Sequence, residues 1–434
     1  MILIRADGNA RIGLGHLMRC LTVAEELAQQ GDRENICFVC ADEASGAFVR
    51  ENGFRSHVLG TDYRDMESEL PLWKAVWVAV MQGEAFAGER AGGCICRGEM
   101  QAGGVSRMPG QDGAGGCTPE HQGSDGAGVS GCVSRELDAA QICGSEMRFL
   151  RADACLHRHV TMLVDSYYVT DMYLEALRRM AYTILIDDYG THCYPVDCVI
   201  NYNAPADPEA YRKLYWKTGA RLLVGSRYTP LRRQFRSLGA EELPQDAIRG
   251  VLITTGGGDS GNIAGKILER IYSDDFTFHL VTGRFHPNFR ELQELEKKHD
   301  NIEIHHDVRD MAGLMRRCQI ALTAGGSTIY ELAALGVPFI CFSYAENQEA
   351  LVEYIGEKRI AGSAGAWHKE PEKTLERIGF LFEELAGDPG KREYYRSREV
   401  GMVDGEGAGR LAREILKMIR TEAAGSRQSD AFDV

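Results

Sequence analysis

The chain has 434 residues, of which 44% are hydrophobic and 26% are charged, and its formal net charge is -14. The length predicts two or three domains, and the composition is typical of a globular protein. The negative charge argues against general nucleic-acid binding through a basic surface, but it is compatible with a local positive pocket for a small anion. No secretory signal precedes the first predicted strand and no apolar run has membrane-spanning length. We therefore expect a cytoplasmic protein with no stable membrane association.

Thirteen cysteines are scattered along the chain, a pattern that favours a reducing compartment over a disulfide framework. Cys37 and Cys40 form a C-x-x-C motif inside an apparent strand. This placement favours two buried thiols over a redox pair or half of a zinc site. Cys94 and Cys96 are too close in sequence for a usual zinc knuckle. We expect no resident metal ion and no cofactor.

The first part of the chain alternates predicted strands and helices. A strand over residues 1–6 precedes a helix from about His16, and a strand over 35–41 precedes a helix over about 44–52. Further elements follow later in the chain: strands over 160–166, 182–188, 197–203 and 221–226, and a helix over 170–181. The apolar runs of these strands are continuous rather than alternating, as in a parallel sheet that is covered on both faces.

A glycine-dense segment over about 83–158 interrupts this pattern. It shows no apolar periodicity, and no helix or strand is credible over most of it. Such a composition buries too little apolar surface to offset the entropy lost on ordering. We interpret the segment as a flexible insertion in the first domain.

The stretch around residues 11–27 carries the strongest functional signal. Gly13, Leu14 and Gly15 can form a tight turn, and His16 stands where an amphipathic helix should begin. Apolar residues then recur at helical spacing: Leu17, Leu21, Ala24 and Leu27. The positive end of a helix disfavours an imidazolium and favours anionic ligands. A neutral imidazole can take a proton near pH 7, so His16 is a candidate general base. The alternative is a histidine that caps the helix or lies in the core.

A polar linker over residues 237–249 separates the first part of the chain from a second alternating pattern. The predicted strands of the second part begin at about residues 251, 276, 302, 320 and 337, helices separate several of them, and long helices end the chain. Two doubly wound domains joined by a linker place a cleft between them, and ligands of such sheets bind at the carboxyl ends of the strands.

Two glycine-rich loops lie at predicted strand-to-helix turns of the second domain, over residues 254–262 and 324–328. Glycines let backbone N–H groups approach an anion, the following helix adds its dipole, and Ser327 and Thr328 offer hydroxyls. Neither loop is a P-loop, because no G-K-[ST] is present. Two such loops in one domain favour a diphosphate ligand, held without a metal because no Asp-x-Asp cluster accompanies them.

Glu331 lies on the first turns of the helix that the second loop opens. A carboxylate in this position can accept hydrogen bonds from the hydroxyls of a ribose. The alternative is an ordinary helix glutamate that faces solvent.

Four blocks of sequence now point to a family. GLGHLMRC in the first half, LIDDYG in the middle, and the second-half blocks HHDVRDMAGLMRRC and LTAGGSTIYELAALGVPFICFSYAENQ resemble the UDP-2,4-diacetamido-2,4,6-trideoxy-β-L-altropyranose hydrolases of pseudaminic acid biosynthesis. The second-half blocks also resemble the nucleotide-binding half of GT-B glycosyltransferases, such as the one that adds N-acetylglucosamine in peptidoglycan synthesis. The resemblance covers nearly all of the chain outside the insertion and the last dozen or so residues.

The resemblance implies an α/β fold of the GT-B type, in which two Rossmann-like doubly wound domains face each other across a cleft. The amino-terminal domain would span residues 1–236 and the carboxy-terminal UDP-binding domain residues 250–420, with a flexible tail over 421–434. It also implies a metal-independent reaction that breaks the anomeric C–O bond of a UDP-sugar with inversion and releases UDP and the free sugar.

The resemblance also implies roles for individual residues. The G-x-G-H element, which includes Gly15, places the catalytic histidine on His16. The matching tyrosine that faces the substrate is Tyr167, although Tyr168 follows it where the family has a small residue, and Asp7 is a weaker catalytic candidate. The remaining positions bind substrate: the phosphates on Gly257, Gly258, Gly326, Ser327 and Thr328, the ribose on Glu331, the uracil near Val308 and Met311, and the sugar near Asn347 and Gln348.

Two other functions share these features. A GT-B glycosyltransferase would use the same nucleotide half with an alcohol as the acceptor, but the first domain has no obvious basic amphipathic segment for a lipid-linked acceptor. A sugar-nucleotide binding protein without turnover would have no need of a histidine at position 16. The sequence therefore favours the hydrolase, with a small UDP-sugar as its partner and no nucleic acid.

Overall fold

The computed structural model describes residues 1–31, 33–81, 160–236, 248–256, 259, 261–284 and 286–429. These residues all belong to one compact unit. The predicted insertion over 83–158, most of the predicted linker and the last five residues of the predicted tail lie outside the described residues.

The amino-terminal domain is built on a parallel sheet of seven described strands. They are β1 (Ile2–Ala6), β2 (Ile36–Cys40), β3 (Arg55–Val58), β4 (Thr161–Asp165), β5 (Tyr182–Ile186), β6 (Cys198–Asn201) and β7 (Arg221–Val224). The order across the sheet is β3-β2-β1-β4-β5-β6-β7, which is doubly wound with a reversal at β1 and β4. Its helices are α1 (Gly15–Gln30), α2 (Glu43–Glu51), α3 (Leu70–Met81), α4 (Asp171–Arg178) and α5 (Pro208–Leu214).

The carboxy-terminal domain repeats this plan with six described strands. They are β8 (Gly250–Thr254), β9 (Thr277–Thr282), β10 (Ile302–His306), β11 (Ile320–Ala324), β12 (Phe339–Ser343) and β13 (Gly362–Ala366). The order is β10-β9-β8-β11-β12-β13, again all parallel. The remaining helices are α6 (Ile263–Ile271), α7 (Phe289–Glu296), α8 (Met311–Met315), α9 (Thr328–Leu335), α10 (Glu349–Glu357), α11 (Pro371–Gly387), α12 (Pro389–Glu399) and α13 (Gly407–Ser429).

The central strands are buried along their whole length, as their continuous apolar runs predict. Cys37 and Cys40 lie within β2 with no exposed surface. Burial raises the pKa of the Cys37 thiol to about 11, and it raises the pKa of the Cys40 thiol as well. Both cysteines are therefore buried thiols, as the sequence predicts, and neither has the lowered pKa of a redox-active cysteine.

Polar contacts join the two domains. The backbone N–H of Ala204 donates to the hydroxyl of Tyr330 at 3.0 Å, and the Arg284 guanidinium donates to the Glu51 carboxylate at 2.7 Å. Tyr330 belongs to a hydrophobic core that also contains Leu17 and Leu223. These contacts hold the two sheets with a cleft between them. Ligands of parallel sheets commonly bind in such a cleft, at the carboxyl ends of the strands.

The last helix corrects the predicted domain boundary. Residues up to 420 were expected in the carboxy-terminal domain and residues 421–434 in a flexible tail, but α13 returns to pack on α1 of the amino-terminal domain. Leu411 and Ile415 belong to the same hydrophobic core as the buried apolar residues of α1. Glu414 forms an ion pair with Arg221 on β7. The apolar face of α13 explains this docking, and the helix continues to Ser429. No helix in the described ranges has both the length and the apolar character to cross a bilayer.

We expect that replacing Gly407 by alanine will destabilise the protein. A Cβ at this position would lie 2.6 Å from the backbone nitrogen of Thr229, against which the start of α13 packs. Backbone cannot move aside as a flexible side chain can, and overpacking of this kind typically costs about 1–3 kcal/mol. Urea denaturation should therefore give a lower midpoint for the Gly407→Ala variant.

The matched control is Gly409→Ala, in the same turn of α13. Its Cβ would lie 3.4 Å from the Arg413 guanidinium and 3.6 Å from the Glu26 carboxylate, which are flexible neighbours at ordinary distances. Alanine favours a helix by up to about 1 kcal/mol over glycine, so this variant should be unchanged or more stable. Equal midpoints for the two variants would show that α13 is not seated closely on Thr229.

Candidate active site

A cavity of about 290 Å³ opens between the two domains. The amino-terminal domain lines it with the loop before α1, including Gly15 and His16, and with Tyr167. The carboxy-terminal domain lines it with residues 323–328 and with Asn347. A second cavity of about 220 Å³ lies beside it. Seven residues border both spaces: Arg11, Ile12, His16, Tyr167, Tyr344, Asn347 and Gln348.

His16 is the second residue of α1 and is 8% exposed. The turn before it uses Gly13 with a φ of 74°, a left-handed conformation that favours glycine, and the Gly13 N–H donates to the Asn9 carbonyl at 2.8 Å. The Nδ1 atom of His16 lies 2.6 Å from the Asp165 carboxylate. If Nδ1 carries the proton and donates it to Asp165, Nε2 keeps a lone pair at the cavity, as in the histidine–carboxylate pairs of hydrolases.

Asp165 ends strand β4 and has a fully buried side chain. Arg19 lies one turn along α1 from His16. Its Nε and Nη2 atoms each donate to one oxygen of the Asp165 carboxylate at 2.5 Å. Burial alone would raise the pKa of this carboxyl, but Arg19 and His16 together hold it well below its ordinary value. Asp165 is therefore an anion that orients the imidazole.

Arg19 extends the same network to Asp188 and Tyr202. Its Nη1 atom donates to Asp188 at 2.9 and 3.0 Å and to the Tyr202 hydroxyl at 2.6 Å. Asp188 also accepts from the Asn203 amide at 3.0 Å. The single positive charge of Arg19 is thus shared by two carboxylates, and these contacts fix the side chains behind His16.

Tyr167 connects the two domains. Its hydroxyl donates to Asp188 at 2.7 Å and accepts from the Asn347 amide at 3.0 Å. Its ring packs edge-on against the His16 imidazole with 4.6 Å between ring centroids. Tyr168, the residue that departs from the family pattern, instead packs on Tyr63 at 5.5 Å. The local loop therefore accommodates the larger residue without displacing Tyr167 from His16.

Two helix N-termini meet at the main cavity. Neither α1 nor α9 has a side-chain hydrogen bond at its N-cap, which is Leu14 in α1 and Ser327 in α9. Gly326 and Thr328 line the cavity on one side and Gly15 lines it on the other. The positive ends of the two helix dipoles favour an anion between them.

The structure places other predicted residues differently. The Asp7 carboxylate is 3% exposed and is engaged by the Arg5 guanidinium and by the Ala41 N–H at 2.7 Å. Arg5 also contacts Glu69, which has no exposed surface. Although Asp7 borders the second cavity, these contacts support a structural role, because its lone pairs already have partners. Gly257 and Gly258 lie outside the described residues.

The predicted nucleoside residues lie away from the walls of the two cavities. Glu331 is 7% exposed and accepts from Arg232 Nε at 2.9 Å and Nη2 at 2.8 Å, both at Oε1. It is not the solvent-facing helix glutamate that the alternative predicted. Burial raises the pKa of the Glu331 carboxyl, although Arg232 opposes the shift. Met311 is buried in the core and Val308 packs partly against it. None of the three is among the described residues that line either cavity.

Asp165, Arg19 and Asp188 are absent from the sequence-based prediction of the site, although they form the network behind His16. A signal for Asp165 was present, since an acidic residue at the carboxyl end of a buried strand faces the ligand edge of a parallel sheet. Asp165 lies beside Ala6 in the register of β4 and β1. The loop that follows β1 leads to His16, so sheet topology brings the pair together.

Two Rossmann-like domains facing each other across a cleft define the GT-B fold. Among solved structures, Acinetobacter baumannii MurG matches with a TM-score of 0.52 and 14% identity over 96% of this chain and 99% of that chain. The calicheamicin glycosyltransferase CalG4 matches with a TM-score of 0.50 and 15% identity over 97% and 98%. These likenesses confirm the predicted fold class.

Among curated proteins, the spore coat polysaccharide biosynthesis protein SpsG of Bacillus subtilis is 25% identical over 38% of this chain and 49% of its own length. The UDP-2,4-diacetamido-2,4,6-trideoxy-β-L-altropyranose hydrolase of Campylobacter jejuni is 26% identical over 45% of this chain and 71% of its own length. An uncharacterised protein of Methanocaldococcus jannaschii is 26% identical over 43% and 41%. The matched segments thus span less than half the length of SpsG and of the Methanocaldococcus jannaschii protein. No family model matches the chain. The resemblance to the hydrolase is confirmed.

Proposed function

We propose that this protein is an enzyme that hydrolyses the anomeric C–O bond of a UDP-sugar and releases UDP and the free sugar. The observation that carries the proposal is His16, paired with Asp165 and placed at a cavity that a glycine loop and a helix N-terminus line from the other domain. The hydrolase of Campylobacter jejuni suggests UDP-2,4-diacetamido-2,4,6-trideoxy-β-L-altrose as the substrate.

The chemistry assigned to His16 depends on its tautomer. With the proton of Nδ1 held by Asp165, Nε2 accepts a proton from a water molecule. The water oxygen forms a bond to the anomeric carbon while the C–O bond to UDP breaks, and the electron pair of that bond stays on the phosphate oxygen. Attack opposite the leaving group inverts the anomeric configuration. General-base assistance of this kind typically contributes about 10²- to 10⁴-fold.

The leaving group is assigned to the carboxy-terminal domain. Gly326, Ser327 and Thr328 would surround the diphosphate, and the N-terminal N–H groups of α9 would stabilise the charge that develops on UDP. The sugar would extend towards Asn347 and Gln348, which border both cavities. Tyr167 would hold it from the amino-terminal side.

The test uses the purified full chain, a panel of UDP-sugars and water enriched in ¹⁸O. The hydrolase is expected to release UDP without an acceptor and to place ¹⁸O on the anomeric carbon of the sugar, with none in UDP. The label in UDP would mean P–O cleavage and would contradict the mechanism. UDP release only with an added alcohol would indicate a glycosyltransferase, and binding without release would indicate a sugar-nucleotide binding protein.

The proposed ribose contact at Glu331 gives a binding prediction. Arg232 donates to Oε1, and the described residues make no hydrogen bond to Oε2, so this oxygen is available to a ribose hydroxyl although Glu331 lines neither cavity. Hydrogen bonds to charged groups contribute about 1.5–3 kcal/mol. Glu331→Gln is therefore expected to weaken UDP binding about 10- to 100-fold by isothermal titration calorimetry.

The control for this prediction is Glu372→Gln, an exposed glutamate on α11. It should leave UDP affinity unchanged. A Glu331→Gln variant that folds normally and binds UDP as tightly as the unaltered protein would remove Glu331 from the ribose site and leave it as the structural partner of Arg232.

A further inference from the structure

Three side chains that bear metal-ligating atoms converge on one face of the carboxy-terminal sheet. His279 lies on β9, and Glu303 is its direct neighbour in the register of the edge strand β10. His305 follows two residues after Glu303, so the alternation of a strand places both on the same face. Within the described residues, this is the group of histidine, cysteine and acidic side chains whose ligand atoms come close enough to share one ion.

The distances among the three ligand atoms form a small triangle. His279 Nδ1 lies 3.1 Å from the Glu303 carboxylate and 3.2 Å from His305 Nε2. His305 Nε2 lies 3.5 Å from the same carboxylate oxygen. Tetrahedral zinc with bonds of about 2.0–2.1 Å holds its ligand atoms about 3.3 Å apart. The triangle therefore has the dimensions of one face of a tetrahedral coordination shell.

Hydrogen bonds alone do not account for all three contacts. Each neutral imidazole carries one N–H, so protons can bridge at most two sides of the triangle. If His279 Nδ1 donates to Glu303, it cannot accept from His305 at 3.2 Å. A cation at the apex would contact all three ligand atoms at once, whereas two protons leave one of the three contacts without a hydrogen bond.

The surroundings suit a bound ion with one open position. The His279 side chain is 6% exposed and the His305 side chain 22%, whereas that of Glu303 is 45% exposed. The site is thus anchored in the sheet and reached from solvent, where water can supply a fourth ligand.

We propose that His279, Glu303 and His305 bind one divalent transition metal ion, with Zn²⁺ as the best match to two imidazoles and one carboxylate. The ion joins the edge strand β10 to β9 and is structural, because none of its three ligands lines either of the described cavities. The proposal departs from the sequence-based expectation of no resident metal, and it stands independently of the proposed hydrolysis.

The experiment uses the full chain, stripped of metal with a chelator and titrated with Zn²⁺ and with Co²⁺ as a spectroscopic probe. One equivalent of Zn²⁺ should bind, and Co²⁺ should give the visible spectrum of a tetrahedral nitrogen and oxygen site. Loss of an outer-shell partner typically weakens metal binding about 10- to 100-fold. Glu303→Gln and His305→Gln each remove a direct ligand and should weaken it at least about tenfold.

The control is His192→Gln, because His192 contacts a single carboxylate, Asp171, at 2.8 Å on the surface. This variant should bind Zn²⁺ as the unaltered protein does. The melting temperatures of the metal-free variants show whether each one folds. Absence of a stoichiometric site, or a Zn²⁺ affinity of both ligand variants equal to that of the unaltered protein, would overturn the proposal. A sulfur-to-cobalt charge-transfer band would also overturn it, since it would place the ion on cysteines.

Discussion

Replacing His16 by asparagine is expected to lower the rate of UDP release by about 10²- to 10⁴-fold while leaving UDP affinity nearly intact. The rate falls because asparagine has no atom that corresponds to Nε2, the proposed proton acceptor, and general-base assistance is typically worth this factor. Binding persists because the diphosphate is assigned to the other domain, around Ser327 and the N-terminus of α9. Single-turnover release of UDP and calorimetric UDP titration separate the two effects.

The comparison of His16→Asn with His16→Leu sharpens the test. The asparagine amide can still donate to Asp165 in place of Nδ1, which lies 2.6 Å from that carboxylate. Leucine cannot, so Asp165 would then keep only its contacts with Arg19 and the Cys20 thiol among the described residues. Both variants should lose turnover, and only the leucine variant should also lose stability. If turnover followed stability rather than the presence of Nε2, His16 would be a structural residue.

The surface provides a matched control pair. His192 lies 2.8 Å from Asp171, a distance close to that of His16 and Asp165, but both side chains are 52% exposed and face no described cavity. His192→Asn should therefore leave UDP release unchanged. A His16→Asn variant that releases UDP as fast as His192→Asn would contradict the assignment of the base.

Much of the fold could be predicted because its central strands are continuous apolar runs. The segment over 320–336 is an example, since a buried strand, a glycine loop and an apolar helix follow one another as predicted. Two of the four edge strands were missed because their sequences lack such runs. Strand β3 reads RSHV and strand β13 reads GSAGA, and each pairs with one neighbour only. These two segments form strands because they pair with the backbone of a neighbouring strand, and not because of an apolar pattern in their sequences.

The candidate site could be predicted only where its residues are close in sequence. The turn before His16 and the loop before Thr328 are local motifs, and both reach the cavity. The partner of His16 is 149 residues away and lies beyond the insertion. Its position depends on β4 pairing with β1. Similarly, the ion pair of Glu331 with Arg232 comes from a segment 99 residues earlier, so no local pattern could show that the carboxylate is buried.

The Asp165→Asn substitution tests how the imidazole is held. Asparagine can present its amide to Nδ1 and so stabilise the tautomer with the proton on Nε2, which cannot accept a proton from water. In the serine protease triad, the corresponding exchange costs about 10⁴-fold. We expect the kcat of UDP release to fall by about 10²- to 10⁴-fold, with little change in KM. Asp171→Asn, in the surface pair, should change neither.

The Asp165→Asn substitution should also lower the stability of the protein, because the buried charge of Arg19 would lose one of its two carboxylate partners. Breaking a buried ion pair typically costs about 3–5 kcal/mol of stability. Because Arg19 keeps its contact with Asp188 at 2.9 Å, we expect a loss at the lower end of this range. The pKa of Asp165 is depressed in the folded state. Its stabilising contribution is therefore complete above the unfolded pKa of about 3.9 and is lost as the pH falls towards the folded-state pKa.

The two readouts together separate positioning from simple structural support. Urea denaturation at several pH values should show the difference in free energy of unfolding between the unaltered protein and Asp165→Asn narrowing below about pH 4. Turnover at neutral pH should stay low even under conditions where the variant is fully folded. A folded Asp165→Asn variant with normal turnover would mean that the imidazole acts without this carboxylate, and the proposed tautomer would be wrong.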